Sequence, residues 1–149
     1  MRADDVERLR RLFFRLSPET VQLRFFQPVR APSEKMLHHF AEVDHDAREA
    51  LVAEVNGEIV AVVRYDRGAD PRTAEVAILV EDAWQGHGLG KLLLRRLTNE
   101  ALSHGIETLT ATVLGQNRRA LGLAHRVAPT MHTHLDHGEW YVDIPLETA

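Results

Sequence analysis

The chain has 149 residues, enough for one domain that buries its own core, and it has no cysteine. That excludes a disulfide scaffold, a thiol nucleophile and a cysteine-ligated zinc site. The formal net charge of −4 argues against non-specific nucleic-acid binding, which needs a basic patch. Nearly every basic residue is arginine, Lys35 and Lys91 being the only lysines. No apolar run approaches membrane-spanning length, and the opening MRADDVERLRRLFFRL is charged and amphipathic where a secretory signal would be apolar. The expectation is a cytoplasmic protein that meets no membrane.

The first third of the chain reads as helical. Asp4 or Asp5 can cap a helix whose apolar residues Val6, Leu9, Leu12, Phe13 and Leu16 recur at helical spacing. Ser17 followed by Pro18 starts a second helix, and Ser33 a third. The pattern then turns extended. EALVAEVNGEIVAVVRY is two β-rich runs joined at Asn56-Gly57, the pair that best accepts the positive φ angles of a tight hairpin. After the loop RGADPRT, AEVAILV gives a third strand. Leu89 to His104 is helical, with Leu89, Leu93, Leu97 and Ala101 as a stripe that Leu92 widens and Gly105 as C-cap. TLTATVL is a strand, NRRALGLAHR a short helix, and TMHTHLDHGEWYVDIPL a hairpin turning at Asp136 to Gly138. There is no internal repeat or linker, and the order of elements describes one mixed α/β layer domain over residues 1–149.

The stretch VEDAWQGHGLGKLLLRRL carries the chemistry. Its glycines Gly86, Gly88 and Gly90 lie between a strand ending at Val80 and a helix beginning near Leu89. Such a turn aims backbone N–H groups at a helix start, where an anion is favoured and no side chain intervenes. Lys91 adds charge at the rim. The dinucleotide pattern G-x-G-x-x-G does not fit, because the glycines alternate and TLTATVLGQN holds no acid. A nucleoside-triphosphate loop does not fit either, because Lys91 is followed by Leu92 and not by serine or threonine.

QGHGLG, Gln85 to Gly90, matches the (Gln/Arg)-x-x-Gly-x-(Gly/Ala) signature of the GCN5-related N-acetyltransferases, and strand, helix, strand and an Asn117-led helix follow in that family's order. Within it, LSPETVQLRFF, VDHDAREALVAEV, AEVAILVEDAWQGHGLGKLLLRRL and ATVLGQNRRALGLAHR resemble the acetyltransferase domain of bacterial Pat-type protein lysine acetyltransferases. The nucleotide-sensing domain that some of those carry is not expected within these residues. The resemblance implies an α/β fold with a mixed, mostly antiparallel central sheet flanked by helices. It implies acetyl-CoA as cosubstrate, bound by the backbone of Ile78, Leu79 and Val80, by the loop Gln85, Gly86, His87, Gly88, Leu89, Gly90 and Lys91, and by Asn117. It also implies a protein substrate such as an AMP-forming acyl-CoA synthetase. A small-molecule amine is the alternative acceptor, and a non-catalytic acyl-CoA-binding module the alternative of another class.

Acetyl transfer to an amine needs a base, because a lysine amine with a pKa of about 10.4 is almost wholly protonated near neutrality. The resemblance implies Glu75, in the setting AEVA, as the catalytic base acting through water; the plainer reading is a solvated strand carboxylate paired with Arg72. Many members of the superfamily carry a tyrosine as acid toward the departing thiolate where this chain has Ala124, and His125 is a weak substitute. His132 and His134 share one face of a strand with His137 in the turn, a spacing that can bind zinc or nickel, but no matching carboxylate constellation supports it, so no metal is expected. Phe13, Phe14, Phe25, Phe26 and Phe40 read mainly as core, with Arg24-Phe25-Phe26 able to line an acceptor groove.

Overall fold

The computed structural model describes residues 1–146. After a short 3-10 turn come α1 (Val6–Arg15), α2 (Pro18–Phe25) and α3 (Glu34–Ala41), then β1 (Arg48–Val55), β2 (Glu58–Arg67) and β3 (Thr73–Val80). The chain continues through α4 (Leu89–Ser103), β4 (Thr108–Leu114), α5 (Arg118–Val127), β5 (His132–Asp136) and β6 (Glu139–Pro145). The strands form one sheet in the order β1-β2-β3-β4-β6-β5, in which only β3 and β4 run parallel. This is the mixed, mostly antiparallel α/β architecture expected.

Local signals set most boundaries. Ser17 Oγ accepts from the Thr20 amide and Ser33 Oγ from the Met36 amide, so both serines satisfy an N–H that the helix cannot. Asn56 and Gly57 turn the first hairpin at φ 51° and 78°. Asp5 departs from its expected role: its side chain does not cap α1, and its carboxylate instead closes a capping box on the preceding 3-10 turn by accepting from the Arg2 amide, and also accepts from Arg8. Burial alone would raise the Asp5 pKa, but those bonds outweigh it and hold the carboxyl below its ordinary value.

The sheet is covered unequally on its two faces. On one, α4 and α5 pack Leu93, Leu97, Ala101 and Ala124 against Val63, Tyr65, Leu109, Val113, Val142 and Ile144. The α4 stripe differs from expectation by one position, since Leu94 is buried while Leu92 is 48% exposed. On the other face α1 and α3 bury Leu9, Leu12, Leu37 and Ala41 against Ala50, Ile59 and Val62, with Leu79 at the margin. No residue of β4, β5 or β6 joins that second core among the described residues. Half of this face is therefore bare, and β5 is exposed along its whole length. The N-terminal aromatics are less buried than expected, Phe14 being 62% and Phe26 38% exposed. No helix among the described residues is long and apolar enough to cross a membrane.

Candidate functional site

The parallel pairing of β3 with β4 covers only Thr73↔Thr108, Ala74↔Leu109 and Glu75↔Thr110. Beyond Glu75 the two strands diverge, although β3 runs on to Val80 and β4 to Leu114. A groove of about 1020 Å³ occupies the gap and continues over the glycine loop and the start of α5. On its other edge β3 stays paired to β2 from Ala74 to Val80. The Glu81 amide donates to the Val60 carbonyl, so odd-numbered residues of this strand turn their backbone groups toward β2. The last rung of the parallel ladder, at Glu75↔Thr110, takes the Val76 N–H, so strand alternation directs the Val76 C=O and the N–H and C=O groups of Ile78 and Val80 into the opening. Leu79 presents only its side chain to the groove, which separates it from Ile78 and Val80, where backbone contact was expected of all three.

The loop at the far end is built for an anion. Gly86 and Gly88 adopt φ 79° and 82°, and a Cβ at either would meet nothing within 4 Å. Gly88 is the N-cap of the 15-residue helix α4, and no side chain caps it. The amides of the first turn thus lack intrahelical acceptors and face open space beside the groove. Gly90 has a different cause: a Cβ there would lie 3.0 Å from Leu123 Cδ2 and 3.4 Å from Ile78 Cδ1, so its bareness lets α4 close against α5 and β3.

Bracing around the loop is polar. Gln85 Nε2 donates to the Val80 carbonyl at 3.0 Å and to Thr20 Oγ1 at 3.3 Å. Asp82 accepts from the Ser17 amide at 3.0 Å, from Ser17 Oγ at 2.7 Å and from Thr20 Oγ1 at 2.9 Å, which ties α2 to the end of β3. Burial would raise the Asp82 pKa, yet these donors keep it below the ordinary value. Lys91 lines the groove, whereas the His87 ring lies edge-on to Trp84, 6.2 Å between centroids, and does not. Asn117 Oδ1 caps α5 by accepting from the Ala120 amide at 3.2 Å, and the residue also lines the groove.

Three arginines that sequence reasoning passed over, Arg118, Arg119 and Arg126, also line it, and Arg119 donates to Gln85 Oε1. The pair NRR directly after a strand that leaves the loop was the available signal.

Glu75 sits where the groove begins, exposed, with Asp66 and Thr110 as its cross-strand neighbours. Asp143 follows Thr110 in the same row on the bare face. Arg72 does not pair with Glu75: its guanidinium donates to Asp70 at 3.2 Å. No hydrogen bond holds the Glu75 carboxylate among the described residues, which leaves it available to a ligand or to water. Arg24 of α2 faces this end, stacked 4.9 Å from the Phe25 centroid and 5.7 Å from that of Phe40. Burial lowers its pKa, while the charges of Asp66 and Glu75 oppose the shift. Ala124 is mostly buried but lines the groove, and as an alanine it offers no acid there. Among the described residues no three histidine, aspartate or glutamate side chains converge as metal ligands would.

Known proteins share this arrangement. The model of the acetyltransferase (GNAT) family matches residues 7–128. An acetyltransferase of Pseudomonas aeruginosa is 30% identical over 147 residues, covering 92% of this chain and 79% of the relative. Acetyltransferase Pat of Mycolicibacterium smegmatis is 35% identical over 76% of this chain, which spans only 34% of that longer protein. The crystal structure of the GNAT domain of S. lividans PAT superposes with a TM-score of 0.91 at 32% identity, covering 98% of this chain and 88% of that one. With the splayed strands, the uncapped glycine loop and a family match over most of its length, the chain belongs to the acetyltransferase (GNAT) family, the acetyl-CoA-dependent N-acetyltransferases.

Proposed function

We propose that this chain transfers acetyl from acetyl-CoA directly to the ε-amine of a lysine on a protein, with Glu75 as general base. The observation that carries the reading is Glu75 itself, unpaired at the junction of the groove and the bare half of the sheet. The site suits the cosubstrate. The open space over Gly86 and Gly88 and the uncapped amides of α4 fit a pyrophosphate, with Lys91 and the arginines of α5 adding positive charge. The main-chain groups of Ile78 and Val80 fit the amides of a pantetheine arm, which replaces the ladder that β4 abandons. Acetyl-CoA supplies an activated acyl group whose thiolate leaves readily, so a dedicated acid at Ala124 is dispensable.

Each residue then has a defined task. The Ile78 N–H, aimed into the opening nearer Glu75, polarises the thioester carbonyl and stabilises the charge that develops on its oxygen, which leaves the Val80 N–H to the pantetheine arm. Glu75 takes a proton from the incoming ammonium through water, since only the neutral amine attacks. Thr110 and Asp143, in the same row as Glu75, offer further polar groups to that water and to the approaching cation. A lysine presented on a folded protein reaches Glu75 across the bare face of β4, β6 and β5, where no helix obstructs a broad partner. The resemblance to Pat-type sequences takes in LSPETVQLRFF and VDHDAREALVAEV, beside the acceptor end, which supports the same choice.

In Gly88→Val, a branched side chain at φ 82° strains the turn and fills the space over the loop, so calorimetry should show acetyl-CoA affinity reduced by about tenfold or more in the folded variant. Unchanged affinity would remove the loop from the site.

Glu75→Gln keeps shape and hydrogen bonding but accepts no proton. Its turnover at neutral pH should fall about 100- to 10,000-fold while acetyl-CoA affinity holds. A loss under about threefold would leave Glu75 a structural carboxylate.

Label from acetyl-CoA should appear on a specific lysine of a purified AMP-forming acyl-CoA synthetase, with free lysine and polyamines reacting far more slowly. Equal or faster labelling of a free small amine would overturn the protein acceptor and leave the acetyltransferase assignment standing.

A further inference from the structure

A second cavity, of about 50 Å³, lies between α1–α3 and the sheet. It shares Arg24, Phe25, Ala77 and Leu79 with the wall of the cofactor groove, so it adjoins the acceptor end. Its lining is apolar except for two guanidinium groups, those of Arg24 and Arg64. Arg64 rises from the middle of β2 between two small cross-strand neighbours, Ala50 and Ala77, which leave room above the sheet for its side chain.

Arg64 is 4% exposed and poorly satisfied. Nη1 donates to the Phe40 carbonyl at 3.3 Å, but Nε and Nη2 are buried with no partner. The Phe40 ring, 4.7 Å from Cζ, offsets part of the lost hydration without accepting a directed bond. Burial lowers the pKa of Arg64 to about 10, so it stays cationic at neutral pH. Arg64 feels the charges of Arg24 and Arg48, and among the described residues the counter-charges acting on Arg24 and Arg64 are Asp66 and Glu75. Arg48 Nε already holds Asp66 at 3.0 Å, and Glu75 stands at the groove. One positive charge is left over. A buried cation with two orphaned donors is costly, and an apolar residue of similar length would fill this place without that cost. The arrangement is accounted for if a ligand completes it.

We infer that Arg24 and Arg64 form an acceptor subsite that takes a carboxylate carried on the acceptor next to the amine to be acetylated. A guanidinium presents paired donors in the plane a carboxylate matches, and Nε and Nη2 of Arg64 are such a pair. A single water needs about 10–15 Å³ of this kind of space, so the three heavy atoms of a carboxylate fit. The inference rests on the reading of Glu75 as the amine end of the site. Two sources share the chemistry: an acidic side chain beside the target lysine of a protein, or the α-carboxylate of a free amino acid. A polyamine offers none.

The test compares kcat/KM, followed as thiol release from acetyl-CoA, within two matched pairs. One pair is a blocked Lys-Glu peptide and its Lys-Gln counterpart; the other is Nα-acetyllysine and its primary amide. The wild type should prefer the carboxylate member of at least one pair by about tenfold or more, and the pair that responds identifies the source. In Arg64→Gln that ratio should fall to within about twofold, and Arg24→Gln provides the same comparison should Arg64→Gln fail to fold. Propionate should also raise the Tm of the wild type above that in chloride of equal ionic strength, and should not do so in the variant. A propionate response without turnover on any amine would refute the acetyl-transfer reading while supporting the subsite. Ratios within about threefold for both pairs in the wild type, with no propionate response, would overturn the subsite and leave acetyl transfer standing.

Discussion

The site depends on β3 losing its partner after Glu75. Up to that residue β3 is an interior strand, paired on both edges; from Ala77 to Val80 it keeps only β2. Unpaired backbone groups next to a core are expensive unless something answers them, so a half-open strand in a folded protein is a binding surface waiting for hydrogen bonds. The surrounding sequence maintains the opening. Leu123 of α5 and Ile78 both lie against the bare Gly90, which seats α4 close beneath the opening. Gln85 answers the one Val80 carbonyl, and the Asp82 cluster anchors α2 at the strand end. Each holds the edges apart without occupying the space between them.

The unequal covering of the sheet completes the arrangement. α4 and α5 seal one face across β2, β3, β4 and β6, which gives the splayed strand a rigid backing. On the opposite face α1 and α3 stop at β3, and the row Asp66, Glu75, Thr110, Asp143 crosses from the covered half to the open one. On the function proposed above, the acceptor amine and the activated acyl group enter from different sides and meet at Glu75. The arginine cavity lies under the covered half of this same face, which is why a charge there bears on the acceptor and leaves the pyrophosphate end untouched.

Much of this was legible in the sequence. Ser17-Pro18, Ser33 and Asn56-Gly57 fixed their turns because each acts through bonds to its own neighbours, independent of tertiary context. The alternating glycines announced the loop for the same reason. What escaped depends on packing partners distant in the chain. Leu92 and Leu94 are equivalent by period, and only the position of the sheet decides that Leu94 is buried. Which backbone groups of β3 face the opening depends on the register with β2, so Leu79 could not be told from its neighbours. Arg64 reads as an ordinary polar position in an apolar strand; its burial over Phe40 needs α3 to fold back 24 residues away in sequence.

Amide hydrogen exchange with and without coenzyme A tests the splayed strand most directly. In the free protein the amides of Ile78 and Val80 should exchange fast while those of Ala77 and Leu79, bonded to β2, exchange slowly. Saturating coenzyme A should slow the first set together with the loop amides from Gly86 to Lys91, and leave the second set unchanged. Protection confined to other segments, or the same rates for odd and even residues of β3 in the free protein, would contradict the account.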